Sequence, residues 1–180
     1  MPIQNNYKQF FTIFLVLFFI TSCNSKDNKL KKYYDNNLKL HQELSDSLMN
    51  FSKRYKTKIT LKKTQFADQH IRLDISFPDS ATWLPIFFDT SYNRHDYNQR
   101  TSEFVVPKGL IKNFEETIYF GIGSDSTYTF FAYEWDKPKN WIGTSGDSQY
   151  GILVLKDTVE LIKADKRISR NACITSYGVF

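Results

Sequence analysis

The residues able to do acid–base, nucleophilic or metal chemistry are few and widely spaced. There are three histidines, His41, His70 and His95. No two of them stand at a ligand spacing such as i, i+4, and His95-Asp96 alone does not make a metal site. Cys173 lies in the apolar run Ala172-Cys173-Ile174, which suits a small buried side chain better than a reactive thiol. Gly143-Thr144-Ser145-Gly146 lacks the Gly-x-Ser-x-Gly frame of a serine elbow. No Gly-Lys-Ser/Thr follows a glycine to form a phosphate loop. The acids Asp79, Asp89, Glu115 and Glu116 could act as a pair only if folding brought them together. These residues assign no catalytic group, no metal and no cofactor, and they lean against an enzyme.

Aromatic residues offer different chemistry. They make up 17% of the chain, with 16 Phe, 11 Tyr and 3 Trp. Several lie in or beside two long polar stretches, 89–103 and 136–149. Loops of that length inside a compact domain are often functional. Tyr92, His95, Tyr97, Trp135, Trp141 and Tyr150 are therefore the expected ligand-binding residues. Their rings offer wide contact area at little entropic cost, beside polar groups that can orient a sugar or peptide. The competing expectation is that these rings fill the core of an aromatic-rich domain.

The N-terminus explains where such a surface would work. Lys8 precedes Phe10 to Ile20, in which only Thr12 is polar, and the run closes on Ile20-Thr21-Ser22-Cys23. A basic start before a short apolar core is the pattern of a secretory signal. The run is roughly half the ~20 apolar residues that a spanning helix needs. Its end resembles the lipobox of bacterial lipoproteins, with an aliphatic residue at −3, small residues at −2 and −1, and then cysteine. The resemblance implies a diacylglycerol on the Cys23 thiol, cleavage before Cys23 and acylation of the new amino group. Two or more acyl chains hold a protein at a membrane where one does so only marginally. Asn24, not Asp, follows the cysteine. By resemblance to the sorting rule of enteric bacteria, this points to the outer membrane.

The remaining chain reads as one α+β domain. Leu30, Tyr34, Leu38, His41, Leu44, Leu48, Phe51 and Tyr55 recur every three or four residues, the stripe of one amphipathic helix from about 27 to 55. After Tyr55 the period drops to two. Ile59 and Leu61, then Ile71, Leu73, Ile75 and Phe77, alternate with polar residues as half-buried strands do. Leu84 to Phe88 reads as a third strand, with Pro85 placing it at an edge or a strand start. Phe104-Val105-Val106 reads as a short strand, and Lys108 to Phe114 as a helical turn. Glu116–Gly123 and Thr127–Trp135 read as a hairpin, Tyr150 to Leu155 as a buried central strand, and Ala172 to Phe180 as a terminal one.

The expected architecture is an N-terminal amphipathic helix packed on an antiparallel sheet of about seven or eight strands. Its segments would be a signal at 1–22, a lipid-anchored tether at 23–29 and a single globular domain at 30–180. The formal charge is +5 with a pI near 9.1. The basic residues are scattered, which argues against nucleic acid as a partner. The reading is a lipoprotein of the bacterial cell envelope, held in the membrane through Cys23. It would have a non-catalytic binding role toward an envelope protein, peptide or glycan. A small envelope hydrolase and an immunity or inhibitor protein against a toxin are the alternatives.

Overall fold

The computed structural model describes residues 25–64, 69–80, 82–136, 148–157 and 166–177. The signal stretch, Cys23, Trp141 and most of the 136–149 loop lie outside them. The chain forms two units, Met1–Asn36 and Asn37–Phe180. The described part of the first unit is helix α1 (Ser25–Asn36), with Leu30 and Tyr34 one turn apart.

The second unit begins with helix α2 (Leu38–Tyr55). The single helix expected over 27–55 is thus two helices, broken at Asn37. Two asparagines meet there, and asparagine is a poor helix former. The Asn37 carbonyl accepts both the His41 backbone N–H at 3.1 Å and the His41 ring Nδ1 at 2.7 Å. At the other end Lys56 takes a left-handed conformation, φ 52°, and closes the helix with its N–H on the Ser52 carbonyl. Glycine usually occupies that position.

Eight antiparallel strands follow: β1 (Lys58–Lys63), β2 (Gln69–Ser76), β3 (Trp83–Asp89), β4 (Arg94–Asp96), β5 (Gly121–Ser124), β6 (Tyr128–Asp136), β7 (Ser148–Leu155) and β8 (Ala172–Tyr177). Their order in the sheet is β4-β3-β2-β1-β5-β6-β7-β8. The α+β architecture expected from the sequence is the one observed. Alternation dictates the register, because a slip of one residue would turn every apolar side chain to the wrong face. Ile59 pairs with Ile75, Leu61 with Leu73 and with Ile122, Ile122 with Phe131, and Phe131 with Ile152. This band is buried, and α2 lies over it, touching β1, β5 and β6. Each such side chain contributes roughly 1.5–3 kcal/mol when fully buried.

His41 is the ionisable member of the buried α2 face, beside Ser45 and Ser52, and is 1% exposed. Its Nδ1–H donates to the Asn37 carbonyl, so its Nε2 accepts from the Tyr119 hydroxyl at 2.7 Å. Both ring nitrogens are satisfied with the imidazole neutral, and burial pushes its pKa down. Cys173 is buried at 1% exposure, and burial raises its thiol pKa, as expected of a core cysteine.

Several expected elements shift. Pro85 lies in β3 where only β2 flanks it, and the edge itself is β4. The hairpin arm expected from Glu116 begins only at Gly121. The stretch 89–103 is more ordered than its composition suggests, holding β4 and a 3₁₀ turn (Gln99–Glu103). Phe104-Val105-Val106 pairs with no strand, although Phe104 itself is extended. The chain then turns into helix α3 (Leu110–Glu115), which packs on α2, before entering β5. No helix among the described residues is long and apolar enough to cross a membrane.

Candidate functional site

The connection from β3 to α3 builds a groove at one end of the sheet, and its construction starts at Asp89. That carboxylate accepts hydrogen bonds from the Ser91 N–H at 2.8 Å, the Asn93 N–H at 3.0 Å and His95 Nε2 at 3.1 Å. These bonds, led by that from His95, hold its pKa at about 2. The tight loop forces Tyr92 into the left-handed region, φ 61°, which a bulky residue seldom adopts. The strained backbone is held at its tip, where the Tyr92 hydroxyl donates to Glu115.

Glu115, the last residue of α3, joins three elements. One carboxylate oxygen takes Tyr92 and the other takes His70 Nε2. His70 is the extra residue of a bulge in β2, between the Gln69–Asp89 and Ile71–Phe88 pairs. A bulge re-aims its side chain, and here that side chain reaches α3. The Tyr92 and His70 bonds lower the Glu115 pKa, and the same carboxylate raises that of the Tyr92 phenol. Beneath them Lys63 ends β1 and donates to the Glu115 and Thr117 carbonyls at 2.9 and 2.6 Å. A cation at a helix C-terminus satisfies orphan carbonyls and complements the dipole.

The far wall is held in a similar way. The Arg94 guanidinium bonds Asp96 at 2.8 Å and the Phe104 carbonyl at 2.6 Å, and also donates to the Thr101 carbonyl. The Tyr55 hydroxyl accepts the Val105 N–H at 2.9 Å. The Phe104 ring is seated among Phe51, Tyr55 and Phe77 at centroid distances of 4.9 to 6.3 Å. Main chain outside the sheet is thereby fixed at the surface.

The groove between these walls has a volume of about 530 Å³. Its apolar lining comes from Phe88, Phe104, Val105, Val106, Pro107 and Ile111, while Tyr92, Arg94, Lys108 and Lys112 supply the polar rim. That volume is within the usual range for small-ligand sites. Val105 stands 62% exposed. Among the described residues, Lys108 and Lys112 form no ion pair.

Of the residues expected to bind ligand, Tyr92 lines the groove and His95 braces its loop through Asp89. Tyr97 is 68% exposed and stands edge-on to Phe87 at 5.3 Å, away from the groove lining. Tyr150 is buried in β7, opposite Glu134. Trp135 takes its place in β6 opposite Gln149, and its side chain, like all of Trp141, is outside the described residues. The registers put the ends of β3 and β6 at the same end of the sheet, with β2, β1 and β5 between them. Four strand spacings separate them by about 19 Å. The two long loops thus share an end of the sheet but start well apart. His70 and Lys63 carry no local signal in the sequence, because each acts on Glu115, 45 and 52 residues away, and Arg94, Lys108 and Lys112 belong to no recognisable motif. Comparison with family models, curated proteins and solved structures gives no match.

Proposed function

We propose that this protein is a lipid-anchored binding domain of the bacterial cell envelope, held through Cys23 at the outer membrane, with the β3–α3 groove as its ligand site. The observation that carries the binding role is the groove itself. It pairs an apolar lining with the two ammonium groups of Lys108 and Lys112, which make no ion pair among the described residues. Apolar area supplies affinity and a few fixed charges supply orientation. The anchor reading is supported by the lipobox-like Ile20-Thr21-Ser22-Cys23.

Each half has its own test. Mass spectrometry of the chain purified from membranes is expected to find acylated Cys23 at the amino terminus, and Cys23→Ala is expected to release the protein. An unmodified thiol would refute the anchor. A photo-crosslinking amino acid at Val105 is expected to give a light-dependent adduct in intact cells. The same amino acid at Lys39, whose side chain is 90% exposed on α2, is expected to give none. Equal labelling at both positions would refute the groove.

A further inference from the structure

The groove has a feature that small-molecule sites do not need. Its wall is main chain at 104–107 that belongs to no helix or strand, and Val106, standing before Pro107, is steered toward extended backbone. Phe104 has φ −93° and ψ 112°, and its N–H and carbonyl are taken by Thr101 and Arg94. The Val105 N–H is taken by Tyr55. The Val105 carbonyl and the Val106 N–H and carbonyl bond nothing among the described residues. Unpaired extended backbone is the template on which another strand adds. It is held stiffly, by an arginine, a tyrosine and a buried ring, so little ordering cost remains for a partner to bear.

Both the lining and the charges narrow the choice of partner. Side chains of an added strand alternate, one toward the groove and the next away. The groove-facing set would meet Phe88, Phe104 and Ile111, so apolar residues fit there. Among the described residues the groove is lined by Lys108 and Lys112 and by no carboxylate, and Glu115 and Asp96 beside it are engaged by Tyr92 and His70 and by Arg94. A carboxylate-bearing partner gains attraction, and a basic one meets like charge.

We propose that the groove docks an extended acidic peptide segment. It adds as a short strand against Val105–Val106, with its apolar side chains in the groove and its carboxylates toward Lys108 and Lys112. This rests on the groove being the ligand site. The paired stretch is short, about 7–10 Å at the usual rise per residue, so side-chain pockets and charge carry much of the affinity.

The test uses the full chain in phosphatidylcholine nanodiscs as bait for a displayed library of random ten-residue peptides. Enriched peptides are expected to alternate apolar and acidic residues. In fluorescence polarisation their affinity is expected to fall at least tenfold on Lys108→Glu/Lys112→Glu, and at least tenfold again when the central peptide amides are N-methylated. Enrichment of basic or uncharged peptides overturns the proposal, as does insensitivity to either change or no saturable binding. Dodecanoate binding to the groove without any peptide binding also overturns it and points to a fatty acid. A light-dependent adduct at Val105 alongside failed peptide selection removes the peptide and leaves the groove site intact. Loss of both removes the groove reading itself.

Discussion

Removing the Lys63 ammonium tests whether the groove wall is held from below. In Lys63→Met the methylene stem is largely kept, while the ammonium 5.5 Å above the Phe114 ring, a weak cation–π contact, goes with the charge. What is lost is a charged donor to two carbonyls, at 2.9 and 2.6 Å. Hydrogen bonds to charged groups are each worth about 1.5–3 kcal/mol. Lys63 is only half-buried, so the lower end applies, and some of the loss is recovered by water at the Glu115 carbonyl. Thr117 is buried, which makes its orphaned carbonyl the larger cost. The expected loss is about 2–3 kcal/mol, concentrated where α3 ends. The Glu116 and Thr117 amides bond the Lys112 and Phe114 carbonyls. Their hydrogen exchange, followed by mass spectrometry on the full chain, is expected to speed up about 30- to 150-fold at roughly 1.4 kcal/mol per tenfold. Exchange in β6 should not change. Lys63→Arg keeps the charge and should lose less. Exchange at 116–117 within threefold of the parent would refute the argument that this lysine holds α3.

Three further outcomes follow from the geometry. A Cβ at Gly151 would stand 1.9 Å from the Phe131 carbonyl oxygen, so Gly151→Ala is expected to cost more than about 4 kcal/mol or prevent accumulation. Gly121→Ala, whose nearest atom is the Leu61 carbonyl oxygen at 3.3 Å, should cost only about 1 kcal/mol by thermal melting. His41 has a folded pKa below its free value, so the unfolded chain binds the extra proton first. Stability should be full above about pH 6.5 and fall as the pH drops below it, and His41→Gln should flatten that limb in melts at pH 5.5 and 7.5. Lys56→Gly relieves a left-handed lysine and should stabilise by about 0.5–1 kcal/mol in denaturant unfolding.

The strands were legible where one physical rule acted alone. In Ile71-Arg72-Leu73-Asp74-Ile75 the alternation has a single solution, and β2 follows it. Rules failed where a distant side chain intervened. Phe104-Val105-Val106 has strand composition, yet Arg94 takes the Phe104 carbonyl and Tyr55 takes the Val105 N–H, groups that a ladder would have used. The α1–α2 break escaped notice because the apolar stripe runs through it in phase. The Asn36-Asn37 pair was the available signal. Glu115 is visible in the sequence as an acid in need of a partner in space, but its partners Tyr92 and His70 are 23 and 45 residues away. A bulge that exists only in the folded sheet aims His70 at it. Tyr150 suits a binding loop and a core equally by its chemistry, and β7 places it among the buried residues.

The distribution of charge at the groove bears on binding against catalysis. A catalytic group must be able to exchange its proton with substrate, and its pKa is tuned toward the working pH. Here the shifts run the other way. Asp89 is held near 2 and Glu115 is lowered, each by hydrogen bonds that fix a neighbouring loop or helix. The Tyr92 phenol is raised, away from neutrality. The Arg94 and Lys63 donors are directed at carbonyls that shape the walls. These groups are committed to holding a surface in one conformation. The ammonium groups of Lys108 and Lys112 remain available to a ligand, beside main chain outside the sheet and an apolar lining. On the proposed reading, that combination suits an anionic, partly apolar partner. It also implies that loosening Glu115, as in Glu115→Gln, should weaken binding through Tyr92, read as a rise in Kd for the selected peptides.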